Sequence, residues 1–169
     1  MKVIVLCGGN GTRMQDYSFP KPLNMIHGRP SISYCLQHLP SSVHELHFIL
    51  APHLYDYHVE EIIINQFKDR NCVFHALPYS TRGPIESAWL GVRDLITIDP
   101  SESIVFLDND VLYSFPDNAL IDRTTAFLGY STDTSGSSAY SYVLLNDEHN
   151  VIDIREKKRI SNTFCCGVY

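Results

Sequence analysis

Short apolar runs alternate with segments of helical spacing through the first part of the chain, and this alternation limits the fold more than any other feature. Continuous apolar runs of strand length indicate strands that are buried on both faces of a sheet. The predicted strands are 3–6, 46–50, 72–77 and 103–107, and the predicted helices are 31–39, 55–67 and 85–96. Strands that alternate with helices imply right-handed crossovers and a mainly parallel sheet. We therefore predict an α/β, Rossmann-like three-layer sandwich with a mainly parallel, partly mixed sheet.

The spacing of apolar residues predicts which helix faces pack against that sheet. In the second helix Ile62, Ile63 and Phe67 are expected to point inward, whereas Ile64 breaks the pattern. In the third helix the apolar stripe consists of Ile85, Ala88, Trp89, Val92 and Ile96. We expect this stripe to contact the sheet.

The pattern changes from about residue 125, where short predicted strands follow one another. They are 125–130, 140–145, 151–156 and 163–169. Small polar residues at 131–138 predict a mobile loop, and 146–150 is typical of a hairpin turn. Because the sequence stops inside the last predicted strand, we expect a fragment of a longer protein or an unusually short homologue. The expected organisation is one domain, 1–169, with an incomplete second part from residue 125.

The composition indicates a globular protein without general affinity for nucleic acid. The chain has 169 residues, of which 44% are hydrophobic and 19% charged, and its net charge is −6. An acidic chain must hold a polyanionic ligand with a few placed cations, helped by a metal ion. The sequence contains no targeting signal and no apolar stretch of membrane length. We expect a cytoplasmic protein that does not bind membranes.

The five cysteines and eight histidines do not form a recognisable metal pattern. The cysteine count is odd and there is no C-x-x-C pair, which argues against a zinc site or a disulfide framework. Most of the cysteines have apolar neighbours and are interpreted as small buried hydrophobes in a reducing compartment. The histidines lack a paired spacing and are interpreted as structural.

A glycine-rich segment that contains a cation follows the first predicted strand. Gly8, Gly9 and Gly11 allow backbone N–H groups to approach phosphate oxygens closely. Arg13 adds a fork of donors that suits a phosphate group. On its own, such a segment is as compatible with a simple tight turn as with a phosphate site.

A second cation lies on a stiff backbone a few residues later. Lys21 is flanked by Pro20 and Pro22, and each proline holds its predecessor in an extended conformation. This arrangement presents one ammonium group in a defined place. The alternative is a rigid surface loop with a solvated lysine.

Two further segments lie where ligands bind in parallel sheets, beyond the carboxyl ends of strands. In 81–87, Gly83 permits close approach and a helix is expected to begin near Pro84. In 108–110, two carboxylates end a strand, and such hard oxygen ligands suit Mg²⁺. The alternatives are an ordinary helix start and a turn with capping carboxylates.

Taken together, Gly8-Gly9-x-Gly11-Thr12-Arg13-Met14 and Pro20-Lys21-Pro22-Leu23 closely resemble the signature of the sugar-phosphate nucleotidylyltransferases, also called nucleotide-sugar pyrophosphorylases. The resemblance extends over the whole chain. It implies a GT-A-like fold whose first part, 1–124, binds the nucleotide and whose second part, 125–169, begins the sugar-binding half. It also implies Mg²⁺ as cofactor, and a nucleoside triphosphate and a sugar 1-phosphate as partners. Homo-oligomer formation is left open.

The resemblance also implies a role for individual residues. The catalytic cations are Arg13 and Lys21, the metal ligand is Asp110, and Asp108 is a second candidate ligand. The implied nucleotide-binding residues are Leu6, Gly8, Gly9, Gly11, Thr12, Thr81, Gly83 and Pro84. The implied residues that bind the acceptor substrate are Asn109, Glu156, Lys157, Asn162 and Gly167.

Three features depart from the family pattern, and the first is that Asp108 stands where the family residue is usually not acidic. Lys158 replaces the usual proline after the lysine, and the family's second metal-binding aspartate would lie beyond Tyr169. The resemblance implies that an anionic oxygen of a sugar 1-phosphate attacks the α-phosphorus of the triphosphate and expels pyrophosphate. Three alternatives stay open: a cytidylyltransferase for a non-sugar phosphate such as phosphocholine, a non-catalytic nucleotide-binding domain, and a glycosyltransferase that uses Asp108-x-Asp110.

Overall fold

A computed structural model describes residues 1–11, 18–97, 99, 101–114 and 126–169 of the chain. These residues belong to two compact units, Met1–Thr124 and Thr125–Tyr169, called unit 1 and unit 2 below. Within the described part of the chain, no helix combines the length and the apolar character that crossing a membrane requires.

Unit 1 is built around a parallel sheet. Its strands are β1 (Lys2–Cys7), β2 (Met25–Ile26), β3 (Arg29–Pro30), β4 (Glu45–Leu50), β5 (Asn71–Ala76) and β6 (Ile104–Asp108). Four of them form a parallel sheet in the order β5-β4-β1-β6, and β2 pairs with β3 in a separate small hairpin. The register pairs Val3 with both Leu46 and Val105, so the carboxyl ends of β1 and β6 lie side by side. This sheet confirms the predicted α/β fold class.

The apolar runs form the central strands because both faces of the sheet are covered. Val3, Ile4 and Val5 in β1 are fully buried, as are Leu46 and Phe48 in β4. One core cluster joins β1 and β4 to the segment after β5 and to the third helix; its buried members are Ile4, Leu6, Ile49, Leu77, Leu90 and Ile96. Burial on both faces explains why these strands show no polar alternation.

The helices of unit 1 are shorter than the sequence predicts. They are α1 (Ser31–Leu36), α2 (Val59–Gln66) and α3 (Pro84–Leu90), and a π-helical turn, Gly91–Leu95, continues α3. The predicted helix 55–67 is divided because Pro52–Tyr57 forms a 3-10 helix and His58 adopts a left-handed conformation with φ of 53°. Within α2, Ile63 is buried and Ile64 is exposed, as predicted.

The predicted inner face of α3 is wrong in part, since Ala88 and Ile96 pack on the core whereas other members of the stripe do not. Ile85 is 86% exposed and Trp89 is 58% exposed, whereas Ser87 and Leu90 are buried. The reason is close packing of the helix on the sheet, because a Cβ atom at Gly91 would collide with the side chain of Ile49. A small residue is therefore required at Gly91, and Ile85 and Trp89 point outward, whereas Ile96 at the end of the stripe is buried.

Unit 2 contains an antiparallel sheet. Its strands are β7 (Tyr130–Thr132), β8 (Ser141–Leu145), β9 (Val151–Glu156) and β10 (Thr163–Cys165), in the order β7-β10-β8-β9. Of the predicted strand 125–130, residue 125 lies outside the described part and 126–129 form no strand; β7 starts at Tyr130 and occupies the first two positions of the predicted loop 131–138. The hairpin turn at 146–150 is confirmed, because Asn146 N donates to Asn150 O at 3.0 Å.

The prediction that the cysteines are buried hydrophobes is correct for only some of them. Cys7 and Cys35 are buried in unit 1, and burial raises the pKa of the Cys35 thiol to about 11 and raises that of Cys7 as well. Cys72, Cys165 and Cys166 are half-buried. The interpretation of the cysteines as buried residues therefore holds for the first two alone.

Candidate functional site

The glycine-rich segment and the segment that precedes α3 lie against each other. Thr81 N donates to Gly8 O at 2.7 Å, and Gly9 forms a parallel bridge with Thr81. A Cβ atom at Gly8 would collide with Ser87 Oγ and lie 2.7 Å from Leu77 Cδ1. Glycine is required at this position because the two segments approach so closely.

Buried hydroxyl groups hold the contact between these two segments. The hydroxyl oxygens of Thr81 and Ser87 are 2.6 Å apart, and each lies 3.3 Å from Gly83 O. Ser87 was not identified from the sequence. Its only signal there is a small polar residue in an otherwise apolar helix, which is also what an exposed helix face would show.

The side chain of Lys21 reaches the edge of the sheet at which the strands have their carboxyl ends. Its Nζ atom lies 2.5 Å from Asp110 Oδ2, in an ion pair whose side chains are both partly exposed. The backbone is fixed because Lys21 begins a 3-10 turn with Pro22 buried behind it, and Ser31 Oγ donates to Lys21 O at 2.7 Å. Lys21 Cβ also lies 3.6 Å from the position that a Cβ of Gly11 would occupy. Lys21 therefore lies between the glycine-rich segment and Asp110.

Asn109 connects the end of β6 to the end of β1. Its Nδ2 atom donates to Leu6 O, and its main-chain oxygen accepts from Cys35 Sγ at 3.3 Å. Its Oδ1 atom is buried and has no hydrogen-bond partner among the described residues. The side chain thus has a structural function, and its predicted contact with the acceptor substrate stays a prediction.

The two carboxylates next to Asn109 differ in environment. Burial raises the pKa of Asp108 to about 6, with a further increase from Asp110 and an opposing decrease from Lys21. Asp110 is more exposed and carries the ion pair with Lys21. Burial and a neighbouring negative charge both disfavour the ionised form of a carboxylate. A nearby cation stabilises that ionised form.

This donor set suits a magnesium ion that shares its ligands with a phosphate. The described residues include no cluster of three or more His, Cys, Asp or Glu side chains that could hold a metal on their own. Mg²⁺ in phosphate-transferring proteins is commonly held by one or two carboxylates together with substrate phosphates. Asp108, Asp110 and the unpaired Oδ1 of Asn109 supply oxygen atoms of this kind.

Of the predicted acceptor-binding residues, Asn109 lies in unit 1, and the other four lie in unit 2, in the segments 156–157 and 162–167. Glu156 ends β9 and its Oε2 accepts from Ser141 Oγ, while Lys157 follows in a left-handed conformation with φ of 51°. Lys157 Nζ lies 4.0 Å from Glu156 Oε1. Asn162 is exposed just before β10, and Gly167 has φ of 74°, which favours glycine.

A buried polar network in unit 2 was not predicted from the sequence. Asp133 is buried, accepts from Ser135 N and Tyr142 Oη, and forms a 2.5 Å ion pair with Arg159. Hydrogen bonds from Ser135 and Tyr142 hold the pKa of Asp133 far below its usual range. The sequence shows only a small polar loop and a basic run, and neither indicates that the two meet.

The remaining predicted residues, Thr12 and Arg13, lie outside the described part of the chain. Gly83 and Pro84 precede and begin α3, and a Cβ atom at Gly83 would meet nothing within 4 Å. The structure therefore gives no steric reason for glycine at 83. Its predicted contact with a nucleotide stays a prediction.

Comparisons with known proteins give the relationships of the chain. It is 23% identical to the bifunctional protein GlmU of Methanocaldococcus jannaschii and 26% identical to the probable mannose-1-phosphate guanylyltransferase 1 of Oryza sativa subsp. japonica, in both cases over its full length. It spans 39% and 49% of those two proteins. It shares the fold of the inositol-1-phosphate CTP transferase from T. maritima, with a TM-score of 0.75, 20% identity and coverage of 99% of this chain and 68% of that one.

These similarities agree with the family resemblance predicted from the two sequence motifs that contain Arg13 and Lys21. The family model of the MobA-like NTP transferase domain matches residues 3–126, which include the glycine-rich segment, Lys21, Thr81 and both carboxylates. The predicted resemblance to the nucleotidyltransferases is thus confirmed, and the chain belongs to the MobA-like NTP transferase domain family.

Proposed function

We propose that the chain is the nucleotide-binding part of a nucleotidyltransferase that condenses a nucleoside triphosphate with a sugar 1-phosphate. The products are a nucleoside diphosphate sugar and pyrophosphate. The observation that carries the proposal is the ion pair between Lys21 and Asp110 beside the glycine-rich segment. A cation, a carboxylate and a backbone segment that permits close approach thus lie at one edge of a parallel sheet. A triphosphate that binds with its metal ion requires all three.

The reaction requires alignment and charge neutralisation more than proton transfer. An oxygen of the acceptor phosphate forms a bond to the α-phosphorus, and the bond between the α-phosphorus and the bridging oxygen to the β-phosphate breaks. The acceptor phosphate is already ionised near neutral pH, so no protein group has to remove a proton. The residues of the site act by holding the two phosphates in line and by opposing their negative charge.

Lys21 has the central position in this mechanism. Its ammonium group is paired with Asp110, and the Lys21–Leu23 turn fixes the backbone that carries it. When a triphosphate binds, Lys21 exchanges the carboxylate for an oxygen of the α-phosphate. Arg13 is assigned to the departing pyrophosphate.

Asp110, with Asp108 as the second carboxylate, would hold Mg²⁺, which supplies positive charge opposite the phosphate oxygens. When Lys21 exchanges Asp110 for the phosphate, the Asp110 carboxylate becomes available to the metal ion. In unit 2, Lys157 is assigned to the acceptor phosphate and Glu156 to hydroxyl groups of the sugar. A hydroxyl group donates to a carboxylate oxygen in a charge-assisted hydrogen bond.

Lys21→Ala tests the proposal. Pyrophosphate release is measured with each of the common triphosphates and a panel of glucose, mannose and N-acetylglucosamine 1-phosphates, in the presence of Mg²⁺. Loss of a preorganised donor is expected to lower turnover on the order of 100-fold or more. Lys68→Ala is the matched control, since Lys68 is an exposed lysine of unit 1 outside the site. An unchanged rate in Lys21→Ala would contradict the assignment.

A second candidate keeps the reaction and changes the acceptor. It is favoured by the shared fold with an inositol-1-phosphate CTP transferase. Phosphocholine and inositol 1-phosphate are therefore added to the acceptor panel. If phosphocholine is the substrate, Glu156→Ala should leave the rate unchanged, because phosphocholine has no hydroxyl group to bind. Nucleotide binding without pyrophosphate release, across all acceptors, would instead indicate a non-catalytic nucleotide-binding domain.

A further inference from the structure

The orientation of the Asn162 carboxamide is determined by a neighbouring arginine. Arg159 Nη2 lies 2.8 Å from the Asn162 side-chain oxygen. A guanidinium group has only donors, so the atom that faces it must be the carbonyl oxygen of the amide. The amide nitrogen therefore points away from Arg159.

Arg159 is itself held firmly in place. Its Nη1 atom is paired with Asp133 Oδ2 at 2.5 Å and lies 3.1 Å from Ser137 O, and its Nη2 atom lies 3.1 Å from Asp133 O. Its guanidinium carbon lies 5.4 Å from the ring centre of the buried Tyr142. A planar fork with this many partners has little rotational freedom.

The backbone of Asn162 is held by the same network. Asp133 N donates to Asn162 O at 2.7 Å, and the adjacent Ser161 Oγ donates to Val143 O at 2.6 Å. Both oxygens of Asn162 are thus occupied. No hydrogen bond in the described part of the chain uses its amide nitrogen, and the residue is exposed.

We propose that Arg159 is a positioning residue that locks the Asn162 carboxamide so that its N–H groups donate to an oxygen atom of the acceptor substrate. This inference rests on the proposed function and on the assignment of Asn162 to the acceptor substrate that the family resemblance implies. The consequence is chemical selectivity. The atom that meets Asn162 has to carry a lone pair, as hydroxyl, carbonyl and phosphate oxygens do, and an ammonium group in its place is refused.

Asn162→Asp reverses the polarity with almost no change of shape. One carboxylate oxygen still accepts from Arg159, and the other replaces the amino group, which leaves no donor and adds a negative charge. We expect the KM for the sugar 1-phosphate to rise roughly tenfold or more. The KM for the triphosphate is expected to stay within about twofold of wild type, and the melting temperature is expected not to fall.

A double-mutant cycle separates positioning from general structural support. Arg159→Gln should raise the KM for the sugar 1-phosphate several-fold, about threefold to tenfold, in the wild-type background. In the Asn162→Ala background the same change should have less than about a twofold effect, because no amide remains to be oriented. Arg155→Gln is the control, since Arg155 is an exposed arginine of β9 whose ion pair is with Asp153.

The outcomes are distinct. An equal rise of acceptor KM for Arg159→Gln in both backgrounds would show a structural role only, and an unchanged acceptor KM in Asn162→Asp would also overturn the inference. Should Arg159→Gln fail to fold, Asn162→Asp still decides the question, because it keeps the partner of Arg159. If wild-type protein releases no pyrophosphate with any acceptor, the proposed function itself fails and the inference with it.

Discussion

Units 1 and 2 bury different kinds of groups. In unit 1 the strands β1 and β4 are apolar and buried on both faces, with Ile4, Leu46 and Phe48 inaccessible to solvent. In unit 2 the edge strand β9 exposes its apolar residues, and Ile152 is 62% exposed. Unit 2 buries Tyr142, Val143 and Val168, and together with them it buries the carboxylate of Asp133, which is paired with Arg159. The comparison shows that the main sheet of unit 1 is specified by hydrophobic burial, whereas unit 2 combines a smaller apolar core with a buried, paired charge.

The largest effect is expected from truncating the core of unit 1. Ile63→Ala removes a fully buried side chain of α2 and should lower the free energy of unfolding by about 2–5 kcal/mol. Urea denaturation measures this difference. Ile64→Ala, at the neighbouring exposed position, is the control and should change it by no more than about 0.5 kcal/mol. Equal effects would show that α2 does not pack as described.

The two units are expected to respond to pH in opposite directions. The folded-state pKa of Asp108 is raised to about 6, so the stability it contributes is present below its unfolded pKa and is lost as pH rises through 6. The folded-state pKa of Asp133 is lowered, so its contribution is present above its unfolded pKa and is lost as the medium becomes acidic. In metal-free buffer, Asp108 should lower the free energy of unfolding of the wild-type protein by an amount on the order of 2–3 kcal/mol between about pH 4 and pH 7. Asp108→Asn should remove this decrease.

Urea denaturation at several pH values measures that decrease. Asp133→Asn is the complementary variant, and it should reduce the loss of stability at acid pH. If the two variants change the pH profile in the same direction, the electrostatic difference between the units is wrong.

A smaller effect is expected at the glycine-rich segment. Gly8→Ala places a methyl group against Ser87 and Leu77, and overpacking of this kind costs about 1–3 kcal/mol. Gly9→Ala is the matched control, because a Cβ atom there meets nothing within 4 Å. Thermal unfolding of both variants measures the difference. Equal melting temperatures would mean that Thr81 and Ser87 do not hold Gly8 as the hydrogen bonds indicate.

The smallest effect is expected in unit 2. Ile152→Ala makes the same kind of truncation as Ile63→Ala, but at an exposed site, and should change the free energy of unfolding by no more than about 0.5 kcal/mol. A loss as large as that of Ile63→Ala would show that β9 is covered in solution. It would then remove the contrast between the units.

Much of unit 1 was predictable from the sequence because each of its main strands is a continuous apolar run. The predicted strand 46–50 lies within β4, and 103–107 overlaps β6, with ends that differ by one residue. The inner face of α3 was not predictable by the same reasoning. Helical spacing reports the positions of large apolar residues, whereas this helix packs through Ser87 and Gly91, whose small size permits close approach.

The residues of the candidate site were likewise only partly predictable from the sequence. Lys21, Asp110 and the glycines were named from their residue types and from their positions after predicted strands. The approach of Ser87 to Gly8 and the ion pair between Asp133 and Arg159 were not, because each joins residues that are far apart in sequence.

The sequence by itself determined the fold class, the family and the identity of the charged groups, because these follow from local patterns of hydrophobicity and from short motifs. Only the tertiary structure decided that Lys21 meets Asp110 and that Arg159 directs the Asn162 amide. The first contact, and the Asp133 ion pair that holds Arg159 in place, depend on how separate segments pack. Pairings between residues that are 89 and 26 positions apart leave no periodic signal in the chain. The physical reason is that the contacts of a side chain are set by the partners that folding brings together.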